Sequence, residues 1–232
     1  MNKKPFYRNS ELIPLWDLRL EAGWAVFLFP ILALMFFLAT LTVRVESLEE
    51  LEYAALFLEV IFPLIFAFIS NGLILREQEE NSLALLAVRR RLSVIWFIRL
   101  ANLLLVFVLS LGMFILLTTL LLPGLPQLKI LEAALSTTCF LAGVTCLPSL
   151  LIGEMNTGYL IGSVVWAVSL IGSRPTYRLV GPSWYPFYLW FTTREGLETT
   201  YWLDNKLNLC LIGLFALLAC YLLLQKPAKF VQ

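Results

Sequence analysis

Six stretches of this chain approach the length and apolarity that the hydrocarbon core of a bilayer demands: Trp24–Val43, Ala54–Leu75, Ile98–Leu122, Leu131–Ile152, Tyr159–Ser173 and Leu207–Leu224. A spanning helix takes about 20 mostly apolar residues; the fifth stretch is shorter, so its ends are the least defined. Lipid offers no partner to an open backbone, so such segments pair their N–H and C=O groups internally, as helices. Composition points the same way. Of 232 residues, 60% are hydrophobic and 14% charged, and the mean hydropathy is +0.84. A soluble domain carries about 25% charged residues. The expectation is an all-α integral membrane protein with six transmembrane helices, in a single domain over residues 1–232 that no repeat or low-complexity linker divides. Pro30, Pro63 and Pro148 fall within spans and are expected to bend them or mark re-entrant breaks.

Basic residues set the orientation. With the N-terminus inside, the cytoplasmic segments hold Lys3, Lys4, Arg8, Arg19, Arg76, Arg89, Arg90, Arg91, Arg99, Lys226 and Lys229, eleven of the 17 lysines and arginines. Arg44, Lys129, Arg174, Arg178, Arg194 and Lys206 fall outside. The excess inside places both termini in the cytoplasm. The first apolar stretch is of full membrane length and begins only near Trp24, so it is expected to be retained, not cleaved as a signal peptide. Ser10–Gly23 mixes Leu12, Ile13, Leu15, Trp16 and Leu18 with Glu11, Asp17, Arg19 and Glu21, the pattern of an interfacial helix along the inner leaflet. Pro175–Asn205 is rich in Trp and Tyr, which favour the headgroup level, and reads as an embedded outer segment between spans five and six.

Between spans two and three lies a charged run, Arg76-Glu77-Gln78-Glu79-Glu80-Asn81-Ser82-Leu83-Ala84-Leu85-Leu86-Ala87-Val88-Arg89-Arg90-Arg91. It begins acidic and ends basic, which suits the partial charges at the two ends of a helix. Asn81 or Ser82 can supply the N-cap, and Leu83, Leu86, Ala87 and Arg90 share one face. The plainer reading of Arg89, Arg90 and Arg91 is an anchor for anionic lipid headgroups.

Other chemistries are poorly served. There is no G-x-x-x-x-G-K-[ST] phosphate loop, no G-x-S-x-G elbow, no H-E-x-x-H pair and no histidine at all. Asp17 and Asp204 are the two aspartates, too few for an Asp-rich metal signature. The chain is therefore not expected to be an enzyme or to hold a metal. A net charge of +1 gives nucleic acid nothing to bind. Cys139, Cys146, Cys210 and Cys220 lie inside apolar runs and read as small buried hydrophobes, not a disulfide set. Glu59 stands inside the second span. It is either a polar contact on a substrate route or subunit seam, or a group near the outer headgroups paired with Arg44. Asn71, Asn102, Thr118 and Thr119 read as interhelical hydrogen-bonding groups, and Gly112, Gly143, Gly162 and Gly172 as sites of close helix approach.

Taken together, this plan resembles the ABC-2 family of transporter permeases, most specifically along Arg76–Ala87, where basic and acidic residues precede a Leu-rich turn. The Tyr185-Pro186-Phe187-Tyr188 region leading to Trp202 is similar too. The chain departs from the family in having Asn81 and Ser82 where many relatives carry Gly, and Val88-Arg89-Arg90-Arg91 where a Pro commonly follows. The resemblance implies a cytoplasmic coupling helix between spans two and three that docks on an ABC ATPase subunit. Two ATPase copies would carry ATP and Mg, a second permease subunit, identical or paralogous, would complete the pathway, and membrane lipids would surround it. Leu83 and Leu86 would then be apolar knobs into the ATPase, with Glu77, Glu79, Glu80, Arg89, Arg90 and Arg91 as charge partners. The implied setting is the bacterial cytoplasmic membrane, and the implied cargo an amphipathic lipid, peptide, drug or haem. A reading from another class is a non-transporting scaffold or immunity protein that sequesters a peptide.

Overall fold

The structure, a computed structural model, describes residues 27–42, 48–79, 91–121, 127–180, 189 and 201–225. They form helices α1 (Leu28–Thr42), α2 (Leu48–Glu79), α3 (Leu92–Leu121), α4 (Gln127–Ile152), α5 (Met155–Val180) and α6 (Trp202–Leu223), with no strand among the described residues. Each overlaps one of the apolar stretches. Within Leu92–Leu117, Leu128–Ile152 and Trp202–Leu223 the helices are long and apolar enough to cross a membrane, and α2 contains a shorter apolar portion, Leu58–Leu73. The interfacial segment Ser10–Gly23 lies outside the described residues.

Helix ends differ from the apolar stretches for a physical reason: hydropathy marks contact with lipid, whereas helices end where caps and breakers say. The fifth helix runs Met155–Val180, well beyond Tyr159–Ser173. The outer segment expected over Pro175–Asn205 is correspondingly shorter, since α5 takes its start and α6 its end. Helix α2 likewise continues through Arg76, Glu77, Gln78 and Glu79, all strong helix formers. Pro30 occupies the first turn of α1, where a missing N–H breaks no hydrogen bond, so it is not a mid-span bend. Pro63 and Pro148 are interior to α2 and α4, which run on as single helices past them.

Side-chain pairings fix the relative directions of α2 to α6. Glu132 meets Trp202 and Cys139 meets Cys210, 70 and 71 residues apart, so α4 and α6 run parallel. Thr145 meets Ala67 and Cys146 meets Ser70, so α2 runs parallel to both. Asn71 bonds to Met155 and Val60 to Trp166, 84 and 106 residues apart, so α5 is antiparallel to α2. Arg99 reaches Leu73 while Phe107 meets Phe66 and Phe62, which makes α3 antiparallel to α2 as well. Helix α4 stands at the centre, packed against α2, α5 and α6.

Two close approaches hold α4 in place. A Cβ on Gly143 would stand 2.7 Å from the Gly213 carbonyl oxygen, and one on Gly213 2.6 Å from the Phe140 nitrogen, so only glycine permits α4 and α6 to cross there. Gly158 meets α4 beside Ser149 and Thr145, where a Cβ would also lie 2.8 Å from Asn71 Oδ1. The α4–α5 turn closes at Gly153, whose φ of 86° is left-handed and whose N–H bonds to the Ser149 carbonyl at 2.7 Å. Gly112, by contrast, faces open space among the described residues.

Burial differs from that of a soluble protein. Glu59, Asn71, Arg99, Thr145, Ser149, Asn205 and Lys206 are buried, while Leu109 is 63% and Phe215 68% exposed along with many other large apolar side chains. Contiguous apolar surface on this scale aggregates in water and is at home in lipid. The buried hydroxyls of Thr137, Thr138 and Thr145 bond to carbonyls of their own helix, so each enters the core without a free donor. One apolar cluster gathers Phe29, Phe62, Phe66 and Phe107 from α1, α2 and α3, with Phe29 edge-on to Phe107 at 5.5 Å.

Candidate functional site

The end of the bundle formed by the start of α4, the start of α6 and the first half of α2 carries the densest chemistry. Helix α6 turns one face inward, on which Trp202, Asn205, Lys206, Leu209 and Gly213 follow at three- and four-residue spacing. That periodicity brings Lys206 against α2, where Glu59 awaits it. Lys206 Nζ donates to Glu59 Oε1 in a buried ion pair, with Glu59 0% exposed. The ammonium also lies 4.7 Å from the centre of the Trp202 ring, a cation–π contact one turn back along α6. The Trp202 Nε1–H in turn donates to Glu132 Oε2 at 3.2 Å. Glu59, Lys206, Trp202 and Glu132 thus form one polar chain that joins α2 to α6 and α6 to α4.

Just inside this layer, Trp166 Nε1–H of α5 donates to the Val60 carbonyl of α2 at 3.0 Å. Leu189, from between α5 and α6, is buried against Val60, Ala67, Leu141 and Leu209. The chain therefore enters the bundle at Leu189, next to the residues that flank Glu59 and Lys206.

The opposite end holds a different arrangement. Arg99 of α3 is buried, and its Nη1 donates to the Leu73 carbonyl of α2 at 2.6 Å. Asn71 Nδ2 donates to the Met155 carbonyl of α5 at 2.9 Å. Between the two ends, Ser70 Oγ and Cys146 Sγ are 3.4 Å apart, and Thr145 Oγ1 reaches the Ala67 carbonyl at 3.3 Å. These bonds join α2 to α3, α4 and α5.

Burial of an ion pair is weak evidence for stability, because desolvating both charges offsets much of their attraction. Charged side chains between membrane-spanning helices are costly and commonly mark a site of function. The Glu59–Lys206 pair is for that reason the candidate site.

The residues singled out from the sequence fall as follows. Glu59 is paired inside the bundle with Lys206; Arg44, its alternative partner, lies outside the described residues. Glu77 and Glu79 belong to the last turn of α2, not to the start of a separate helix. Arg91 is exposed, and its carbonyl accepts from the Val94 and Ile95 N–H groups as α3 begins. Glu80, Leu83, Leu86, Arg89 and Arg90 lie outside the described residues, as does most of the outer aromatic segment. The charge tally counts Lys206 with the outer segments and Arg99 with the cytoplasmic ones, and the structure buries both. The sequence does carry a signal for Lys206, since it shares the helical face of Trp202, Leu209 and Gly213. Cys139, Cys146, Cys210 and Cys220 are free thiols. Comparison with protein-family profiles, curated proteins and solved structures gives no match to this chain.

Proposed function

We propose that the chain is the membrane-embedded subunit of an ATP-powered exporter or flippase of the ABC-2 type, moving an amphipathic substrate outward. It would sit in the bacterial cytoplasmic membrane with both termini inside, beside a second permease subunit. ATP hydrolysis, with its Mg, belongs to two copies of a separate cytoplasmic ATPase. The observation that carries the reading is the tie between the two helices that flank the charged run. Arg99 of α3 holds the Leu73 carbonyl of α2 six residues before Glu79, at the end of the bundle from which Arg76–Arg91 departs. A push on that run enters α2 and α3 together and moves them against α4 and α6 as a rigid pair. Helix α2 would carry the motion from Glu79 to Glu59, on the order of 30 Å at 1.5 Å per residue. Leu83 and Leu86 make the apolar contact with the ATPase. The charges of Glu77, Glu79, Glu80, Arg89, Arg90 and Arg91 surround it, where they govern specificity and on-rate more than affinity.

Replacing Leu83 and Leu86 together with Asp tests this directly. The expected outcome is a folded permease that no longer retains its ATPase on affinity purification and no longer supports transport. An ATPase held as well as by the wild type would remove the coupling assignment. A purified complex that contains no Walker-type ATPase at all would favour the scaffold or immunity reading.

A further inference from the structure

We infer that the Ser149 hydroxyl is a two-position hydrogen-bond switch at the α4–α5 joint. It passes from the Met155 carbonyl to Asn71 Oδ1 when α2 shifts, so that the joint registers where α2 stands. The inference rests on the transport reading for what displaces α2, and names the place where that displacement reaches α5.

Donors and acceptors are mismatched at this joint. The Met155 carbonyl accepts from Asn71 Nδ2 at 2.9 Å and from Ser149 Oγ at 3.5 Å. As the first residue of α5 it also takes the N–H four residues on. A carbonyl oxygen has two lone pairs for these three donors, and the Ser149 hydroxyl is held least. Close by, Asn71 Oδ1 is buried, and among the described residues nothing donates a hydrogen bond to it. Only the nitrogen of the amide can face a carbonyl, so the oxygen is committed to the other side. Asn71 is 3% and Ser149 0% exposed, so bulk solvent does not relieve the mismatch.

Gly158 lets the two groups gather. A Cβ on it would stand 2.0 Å from Ser149 Oγ, 2.4 Å from the Thr145 carbonyl oxygen and 2.8 Å from Asn71 Oδ1. The Thr145 carbonyl serves the backbone ladder of α4, which leaves Asn71 Oδ1 as the open acceptor near the hydroxyl. A shift of about 1–2 Å between α2 and α4, the scale on which packed helices slide, exchanges one partner for the other. In the resting position the hydroxyl ties α4 to α5. After the exchange it ties α4 to α2, and the first turn of α5 is released to pivot at Gly153, where the backbone is left-handed. The seam is well placed for this role. Asn71 precedes Leu73, which Arg99 binds to α3, so a push that enters α2 and α3 together meets the joint directly beyond that tie.

Asn71 and Ser149 are positioning residues, so the test reads position. Spin labels on cysteines that replace Val94 of α3 and Glu154 of the α4–α5 turn, both exposed, report the separation across the seam by pulsed electron resonance. The full chain, its four native cysteines replaced, is held in phosphatidylcholine nanodiscs. The labelled parent should show a main distance and a minor one. Ser149→Ala should deplete the minor distance about tenfold, the effect of one buried hydrogen bond. Asn71→Asp replaces the donor that faces Met155 with an oxygen and keeps the acceptor on the Ser149 side. It should make the minor distance dominant, and adding Ser149→Ala should restore the main one. A purely structural role predicts lower melting temperatures with a single distance throughout, and that result overturns the inference. So does an Asn71→Asp distribution that Ser149→Ala leaves unchanged. If Asn71→Asp does not fold, the parent and Ser149→Ala decide between them, and identical distributions end the switch. The measurement needs no ATPase, so loss of the coupling assignment and loss of the switch register separately.

Discussion

At Glu59 and Lys206 two charges that are unfavourable singly become tolerable together, and the asymmetry between breaking and replacing the pair is large. Truncating one partner, as in Glu59→Ala, leaves a buried charge unmatched and is expected to destabilise the fold by about 3–5 kcal/mol. Exchanging the two, Glu59→Lys with Lys206→Glu, should recover most of that loss in a double-mutant cycle of thermal or denaturant unfolding. Recovery would fail if each charge were held by its wider surroundings instead of by the other. Sequence made Glu59 conspicuous, as a carboxylate inside an apolar stretch, but left open whether it stood on a route or seam or near the outer headgroups. It made Lys206 look ordinary. A cation near the start of a span is indistinguishable, by hydropathy, from one in the headgroup region, and only the face it shares with Trp202, Leu209 and Gly213 turns it inward. Arg99 was hidden in the same way, its long side chain carrying the guanidinium back to the Leu73 carbonyl.

Among the helices, α4 is the post around which the others are set, and glycine decides how near they come. The crossing of α4 and α6 at Gly143 and Gly213 leaves no room for a side chain. Gly143→Leu is therefore expected to force the two helices apart and destabilise the protein by at least the 1–3 kcal/mol that overpacking costs, seen as a lower melting temperature. Gly112→Ala provides the contrast. Open space faces that position, so the substitution should be neutral or stabilising by up to about 1 kcal/mol through helix propensity alone. Equal losses at the two sites would mean that propensity, not the crossing, sets the response. The sequence pointed to Gly143 and Gly162 as close approaches and equally to Gly112, since composition marks a glycine without saying what stands opposite. Helix existence was legible because each helix contains an apolar stretch, long in all but the fifth. Helix ends were not, because Arg76–Glu79 and the polar ends of α5 continue their helices without any apolar signal.

For the molecule as a whole, the alternation of directions is the feature that membrane crossing requires: α2, α4 and α6 run one way, α3 and α5 the other. In a cysteine-free background, single cysteines at Leu128 and Leu203 should react with an impermeant maleimide from one side of the membrane. Cysteines at Glu154 and Gln225 should react from the other. Labelling of Leu128 and Glu154 from the same side would contradict α4 as a crossing helix. The pairings that establish this order also bear on how the chain is made. The ribosome delivers α2, and with it Glu59, well before α6 supplies Lys206. Throughout the interval the nascent protein holds Glu59 without Lys206, so the buried ion pair that joins α2 to α6 can form only once the last helix arrives. The last helix to emerge therefore completes the assembly, and a transcript cut short before Lys206 yields a product that lacks the clasp between the second helix and the sixth.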